Sequence, residues 1–367
     1  MDKRVFGLDV LRALAISFVL LTHGSSLFVF QGFHGPLIDK VLGYSAVGAF
    51  LGVEIFFVLS GFLIGSILLS LAPKFHDGKT LHNFWQRRWL RTLPNYFLFL
   101  GLNIWYFNDR YGIRFDLTPY FFFLQNWSSP QRYLFLESWS LAVEEWFYLL
   151  FPLAIFVLHK KITYNKTFLI AVLIFILVPS FMRFYWLNSG YSDWDSEFRK
   201  IVILRLDSVI YGVLAAWVKL NQPKIWEKIR FVSLVLGLSI CAWIIRYLLT
   251  SGVDTDFAKT FLFSLTSLGS ALLLPFADQW NVVRENFFTL IFRYTAYWSY
   301  SLYLVNLLIV QLIAERLELM REISKMDMIV ALVVFFVSCF LLSAIVYYFW
   351  ERPFMNLRKH DVQGVQK

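Results

Sequence analysis

The sequence predicts an all-α fold, a multi-pass integral membrane helical bundle with about ten transmembrane helices. Three observations predict it. Of the 367 residues, 58% are hydrophobic and only 16% charged, against about 25% charged and 45–50% apolar in soluble domains. The apolar residues fall in runs long enough to cross a bilayer. The basic residues sit in short clusters between those runs, without the contiguous stripe that tracks a phosphate backbone. The formal net charge of +9 therefore implies a bilayer as partner and no nucleic acid.

Taken in order, the first run follows Lys3 and Arg4, as a secretory signal would. Asp9 and Arg12 interrupt it, and it continues past His23 to Phe30, so it reads as a retained first helix. Apolar spans are then expected at 8–30, 45–71, 92–107, 139–158, 167–187, 201–219, 231–250, 258–276, 296–314 and 328–350. The third is the weakest, being short and containing Pro94 and Asn95. The longest connections, 72–91 and 108–138, are read as loops, where function most naturally sits. With ten spans both termini share a side, and lysine and arginine favour that side by roughly two to one. Both termini are therefore expected in the cytoplasm. Cys241 and Cys339 lie inside apolar runs and imply neither disulfide nor metal cluster.

Ionisable residues at membrane depth are costly, which makes them functional candidates. Arg12 and His23 are eleven residues apart, so they differ by only about 20° around a helix and about 16 Å along it. Asp9, three residues before Arg12, joins the same face. Asp9 and Arg12 also suit a plain interfacial ion pair, and His23 a polar residue at the far end of the span. Glu54 stands in the second span with Ser60 and Gly61, small residues that also permit close helix approach. Arg87, Arg88 and Arg91, flanked by Trp85 and Trp89, suit phosphate binding and equally suit positive-inside bias with aromatic anchors. The fourth helix opens at Ser138-Trp139-Ser140, and of its adjacent Glu144 and Glu145 at most one can face a shared site. Arg205-Leu206-Asp207 opens the sixth helix, where Asp207 can pair with an arginine of a neighbouring helix.

Several chemistries are missing. There is no His-Glu-x-x-His, no Gly-x-Ser-x-Gly and no Gly-x-Gly-x-x-Gly pattern. Gly78-Lys79-Thr80 mimics the end of a P-loop, but Pro73 stands where the earlier glycine belongs. Neither a metal nor a nucleoside triphosphate is implied.

Together the segments resemble the membrane acyltransferase 3 family. The matching pieces are Leu8-Asp9-Val10-Leu11-Arg12 with His23, Gly52-Val53-Glu54 through Ile64, Arg87-Arg88-x-x-Arg91, and Ser138-Trp139-Ser140 through Glu144-Glu145-x-Phe147-Tyr148. Arg205-Leu206-Asp207, Tyr300-Ser301-Leu302-Tyr303-Leu304 and Glu351-Arg352-Pro353-Phe354 complete the set, in family order. Asn306 departs from the histidine common at its position, and Trp146 from a common glutamine. The catalytic expectation therefore rests on His23.

The resemblance implies transfer of an acyl group, acetyl by default, from cytoplasmic acyl-CoA to a hydroxyl of a sugar or lipid-linked glycan acceptor. Acetyl-CoA is then a donor substrate, with no permanently bound cofactor, and the home is the bacterial cytoplasmic membrane. His23 is expected as general base, or as the nucleophile of an acyl-histidine intermediate. Asp9 or Glu144 would orient or balance it, and Arg12 would steady the thioester or oxyanion. Arg87, Arg88 and Arg91 would grip the coenzyme A phosphates. Glu54, Ser60, Trp139, Arg205 and Asp207 are the supporting intramembrane residues. Aromatic residues of the 108–138 loop, Tyr111, Phe115, Tyr120, Trp127 and Tyr133, suit either sugar stacking or an interfacial belt. The expected organisation is one transmembrane domain over 1–358 with a cytoplasmic tail at 359–367, and no appended hydrolase-like domain. The rival reading is a proton-coupled transporter or flippase with Glu54, His23 and Asp207 as relay, although the paired repeats common in such proteins are not visible.

Overall fold

A computed structural model describes residues 5–72, 75, 77–131, 133–159, 162–282, 284–320 and 322–357. Lys3, Arg4, Pro73, Lys74, Arg132, Lys160, Lys161, Arg321 and the expected tail lie outside the described residues. Among the described residues the chain is helical, with no strand. The long helices are α1 (Phe6–Phe30), α2 (Pro36–Ser70), α3 (Gly78–Tyr111), α4 (Ser138–His159), α5 (Tyr164–Asn188), α6 (Leu206–Asn221), α7 (Arg230–Ser251), α8 (Leu262–Leu272), α9 (Phe287–Glu318) and α10 (Lys325–Val346). α10 runs on through a π turn, Tyr347–Glu351, into Arg352–Leu357.

Among the described residues, seven helical stretches are long and apolar enough to cross a membrane, namely α1, α2, α4, α5, α7, α9 and α10 with its extension. The protein is thus an all-α membrane bundle. The three remaining expected spans are also helical but differ from that standard. α6 has only 16 residues. The 258–276 region is broken into Asp256–Thr260, α8 and Leu274–Gln279, where Pro275 can start a helix but not continue one. α3 is long but strongly polar at its start.

Several boundaries differ from the sequence reading, and two of the differences have a plain physical cause. The segment 78–91, expected as loop, forms the first turns of α3. Its polarity suggested a connection, yet it lacks helix breakers after Gly78, and polarity alone does not oppose a helix. α2 likewise begins at Pro36, nine residues early, because proline at the first helical position lacks only an N–H that would be unsatisfied anyway. Side-chain caps define two other starts. Asn286 and Thr289 form a capping box on α9, and Ser324 and Asp327 form one on α10.

The residues group into two compact units. The first comprises Met1–Leu8, Glu54–Arg88 and Arg114–Asn281. In it α6 packs on α4, α5 and α8, and α7 packs on α8. Gly61 and Gly212 lie where α2 meets α6, with no room for a Cβ against the carbonyls of Val209 and Val58.

The second unit comprises Asp9–Val53, Trp89–Ile113 and Val282–Lys367. α9 and α10 form an antiparallel pair there. α1 and the first half of α2 are joined by Thr22 Oγ1, which donates to the Ser45 carbonyl, and Gly52 packs on the Ala15 carbonyl. α1 and α9 run in the same direction. His23 meets Asn306, and Gln31 meets the Ala314 carbonyl eight residues further along both helices. α3 also parallels α9, since Tyr300 donates to the Thr92 carbonyl while Tyr106 and Arg110 reach Glu315.

Candidate active site

In the second unit, α1 carries Asp9, Arg12 and His23 along one side of a single unbroken helix. Asp9 is buried in the first turn, where the helix dipole favours an anion. Arg12 is half-buried one turn on. His23, also half-buried, directs Nδ1 at the side-chain oxygen of Asn306, which is fully buried in α9. Asn306 in turn donates to the carbonyls of Leu302, at 2.9 Å, and Tyr303, at 2.7 Å.

A second polar station in this unit was not expected from sequence. Glu351, buried in the π turn, accepts from Ser301 at 2.7 Å and from Asn95 at 3.1 Å. Asn95 lies one turn beyond Arg91 on α3, so the two share a face. At the far end of α3, Glu315 collects Tyr106, Tyr111 at 3.4 Å and the Arg110 guanidinium at 3.0 Å.

The first unit holds the other predicted residues. Glu54 and Arg205 form a buried ion pair; Ser267 donates to Glu54 at 2.8 Å, and Arg205 reaches Ser208 at 2.8 Å. Asp207 forms a two-pronged pair with Arg183 of α5, at 2.9 and 2.8 Å, and accepts from Ser264 at 2.6 Å. Phe263 lies under both guanidiniums, 4.0 Å from that of Arg205 and 5.8 Å from that of Arg183. Buried ion pairs need such additional hydrogen bonds to offset desolvation. Each carboxylate here has an arginine and a serine.

Glu144 is half-buried in α4 and accepts from Ser60 at 2.7 Å and Tyr148 at 2.9 Å. Trp139 is buried, edge-on to Phe57, with Arg199 5.0 Å over its ring. Arg87 is exposed. Arg88 is half-buried, with its guanidinium 6.0 Å from the Phe84 ring and 5.9 Å from that of Tyr148. Arg91 is half-buried four residues after Arg87 on the same face of α3. The structure thus places Asp9, Arg12, His23 and Arg91 in the second unit, and Glu54, Ser60, Arg87, Arg88, Trp139, Glu144, Arg205 and Asp207 in the first.

The loop before α4 is folded on itself rather than open. Tyr120 is buried and donates to the Leu134 carbonyl at 2.8 Å. Trp127 packs on Trp146, whose indole donates to the carbonyl of Phe123, a residue held at φ 56°. Of the loop aromatics, Tyr133 stands 81% exposed and suits contact with a ligand or an interface. Burial pushes the Glu137 carboxyl up to about 8. Among the described residues no group of three or more His, Cys, Asp or Glu is placed to hold a metal.

Helices of membrane length and buried charges neutralised in pairs define a polytopic membrane bundle, with an imidazole partway along one of its spans. The sequence profile of the acyltransferase domain family (acyltransferase 3) matches residues 5–348. The chain belongs to this family. Among curated proteins it is 33% identical over 188 residues to peptidoglycan O-acetyltransferase OatA of Listeria monocytogenes, covering 46% of this chain and 26% of that protein. It is 32% identical over 174 residues to O-acetyltransferase OatA of Staphylococcus aureus, covering 42% of this chain and 25% of that protein. The matched stretch spans about a quarter of the length of these relatives. No solved structure matches the chain.

Proposed function

We propose that the chain is an O-acyltransferase that moves an acetyl group from acyl-CoA, supplied on the cytoplasmic side, to a hydroxyl of a cell-surface glycan or its precursor. The glycan class follows the two relatives above, both named for O-acetyl transfer and one of them for peptidoglycan. The observation that carries the reading is the half-buried His23 imidazole, held on one nitrogen by Asn306 of a neighbouring helix.

In this reading the second nitrogen of His23 takes the proton of the acceptor hydroxyl as its oxygen attacks the thioester carbonyl. The tetrahedral intermediate collapses, the C–S bond breaks, and the departing thiolate recovers the proton from the imidazolium. Arg12 lies about 16 Å back along α1, which suits the path of the donor better than the oxyanion at His23. Arg87 and Arg91, sharing a face of α3, supply guanidinium forks for the coenzyme phosphates. Arg88 packs on aromatic rings and has a smaller part.

A cytoplasmic N-terminus puts Arg12 nearer the donor side and His23 deeper. The common direction of α1, α3 and α9 fits a chain that reverses an even number of times between them. The transporter reading gains no support, because Glu54 and Asp207 are each engaged by a buried arginine and a serine. The test is acyl transfer in inverted membrane vesicles given labelled acetyl-CoA and a peptidoglycan precursor. Label in the glycan above an empty-vector control is the expected result. Label absent across acyl donors and glycan acceptors would overturn the proposal.

A further inference from the structure

We propose that Asn306 is a positioning residue that fixes His23 in the tautomer with its proton on Nδ1 and its lone pair on Nε2. The proposal rests on His23 being the base, and it concerns which of the two ring nitrogens does the work.

The argument is one of hydrogen-bond inventory. Asn306 is fully buried, and its Nδ2 donates to two carbonyls of its own helix, those of Leu302 and Tyr303. Both amide protons are therefore committed. The side-chain oxygen is left facing His23 Nδ1, and an amide oxygen only accepts. Nδ1 must then carry the proton and donate. In a neutral imidazole this leaves the lone pair on Nε2.

The opposite rotamer of the amide is disfavoured. Turning it by 180° would set its oxygen against the carbonyl oxygens of Leu302 and Tyr303 and discard both hydrogen bonds. Those carbonyls already accept the backbone N–H groups of their own helix, so the turned amide would lose two donor contacts and set its oxygen against two like-signed dipoles. The α9 backbone thus selects the amide orientation, the amide selects the tautomer, and the tautomer selects the catalytic nitrogen. A histidine in place of Asn306 would lack this property, since it can either donate or accept.

Asn306 also brings no charge. A carboxylate at this position would add a formal ion pair to the protonated imidazole, whereas the amide orients the ring without it. The residue therefore acts through His23 and is not itself a reacting group.

The test is 15N NMR of histidine-labelled full-length protein in nanodiscs, with the His23 resonances assigned by difference from His23→Gln. The expected spectrum of the neutral ring has a protonated Nδ1 and a bare Nε2. Asn306→Leu should lose that signature, and Asn306→Asp, which keeps an acceptor against Nδ1, should retain it. In transfer assays Asn306→Leu should lower kcat by about tenfold or more while leaving KM for acetyl-CoA unchanged, and Asn306→Asp should recover part of the loss. A proton on Nε2 in the wild type, or an unchanged spectrum in Asn306→Leu, would overturn the proposal. A fixed Nδ1–H tautomer with full transfer in His23→Ala would uphold the tautomer assignment and overturn the base role instead.

Discussion

Gly61 and Gly212 interlock α2 with α6, each pressed against the backbone carbonyl of a residue on the opposite helix, Val209 for the first and Val58 for the second. Small residues at membrane helix crossings allow this approach, where van der Waals packing takes the place of the hydrophobic effect. The crossing also positions Glu54 on α2 near Arg205 at the start of α6, so the ion pair depends on the glycines.

Replacing either glycine should therefore damage the fold more than its size suggests. Gly61→Val and Gly212→Val are expected to lower the yield of folded protein in mild detergent several-fold. Gly101→Ala, where a Cβ meets nothing within 4 Å, should leave it unchanged. Size-exclusion profiles of fluorescent fusions measure this directly.

The buried pair itself gives a second prediction. Glu54→Gln strands the Arg205 charge, and breaking one side of a buried pair costs about 3–5 kcal/mol. Removing both charges in Glu54→Met with Arg205→Met should cost less than Glu54→Gln alone. Thermal unfolding of the single and double variants would show whether the coupling has this sign.

Glu137 makes stability depend on pH. Burial raises its carboxyl from 4.5 to about 8, so the folded state prefers it protonated. Its contribution is fully present below about 4.5 and is lost as pH rises through about 8. Glu137→Gln, which mimics the protonated form, should flatten the melting temperature between pH 6 and 9, a range chosen to span the upper value. An unchanged slope in the variant would mean that another group sets it.

For the proposed donor site, Arg87 and Arg91 should act on binding rather than chemistry. Each lost charge-assisted hydrogen bond is worth about 1.5–3 kcal/mol, so Arg87→Ala or Arg91→Ala should raise KM for acetyl-CoA by roughly tenfold or more with kcat little changed. Arg88→Ala should change KM less. Equal effects of all three on kcat would point to a structural role for the cluster.

Much of this architecture was legible in the sequence, for identifiable reasons. Long apolar runs reveal membrane helices because the bilayer sets their length, and Asp207 was placed correctly as a partner for an arginine of a neighbouring helix. That arginine, Arg183, escaped notice because nothing local marks one charge in a span as the partner of another 24 residues on. Segment 78–91 was misread because polarity marks a surface and not a loop. Asn306 stood out only as a departure from a histidine and was set aside as a catalytic position, because a neutral amide in an apolar run gives no charge signal and its pairing with His23 is not visible in one dimension. The general signal that would have found it is any side chain with unmet hydrogen-bond capacity at membrane depth.

The most direct test of the central claim is acetyl transfer in membranes bearing either the wild-type chain or His23→Ala at equal expression, with labelled acetyl-CoA supplied on the cytoplasmic side. General-base catalysis contributes about 10²–10⁴-fold, so the variant should lose at least about a hundredfold in rate while still folding. Transfer in His23→Ala within a few-fold of wild type would contradict the account, leaving an acyltransferase whose base lies elsewhere.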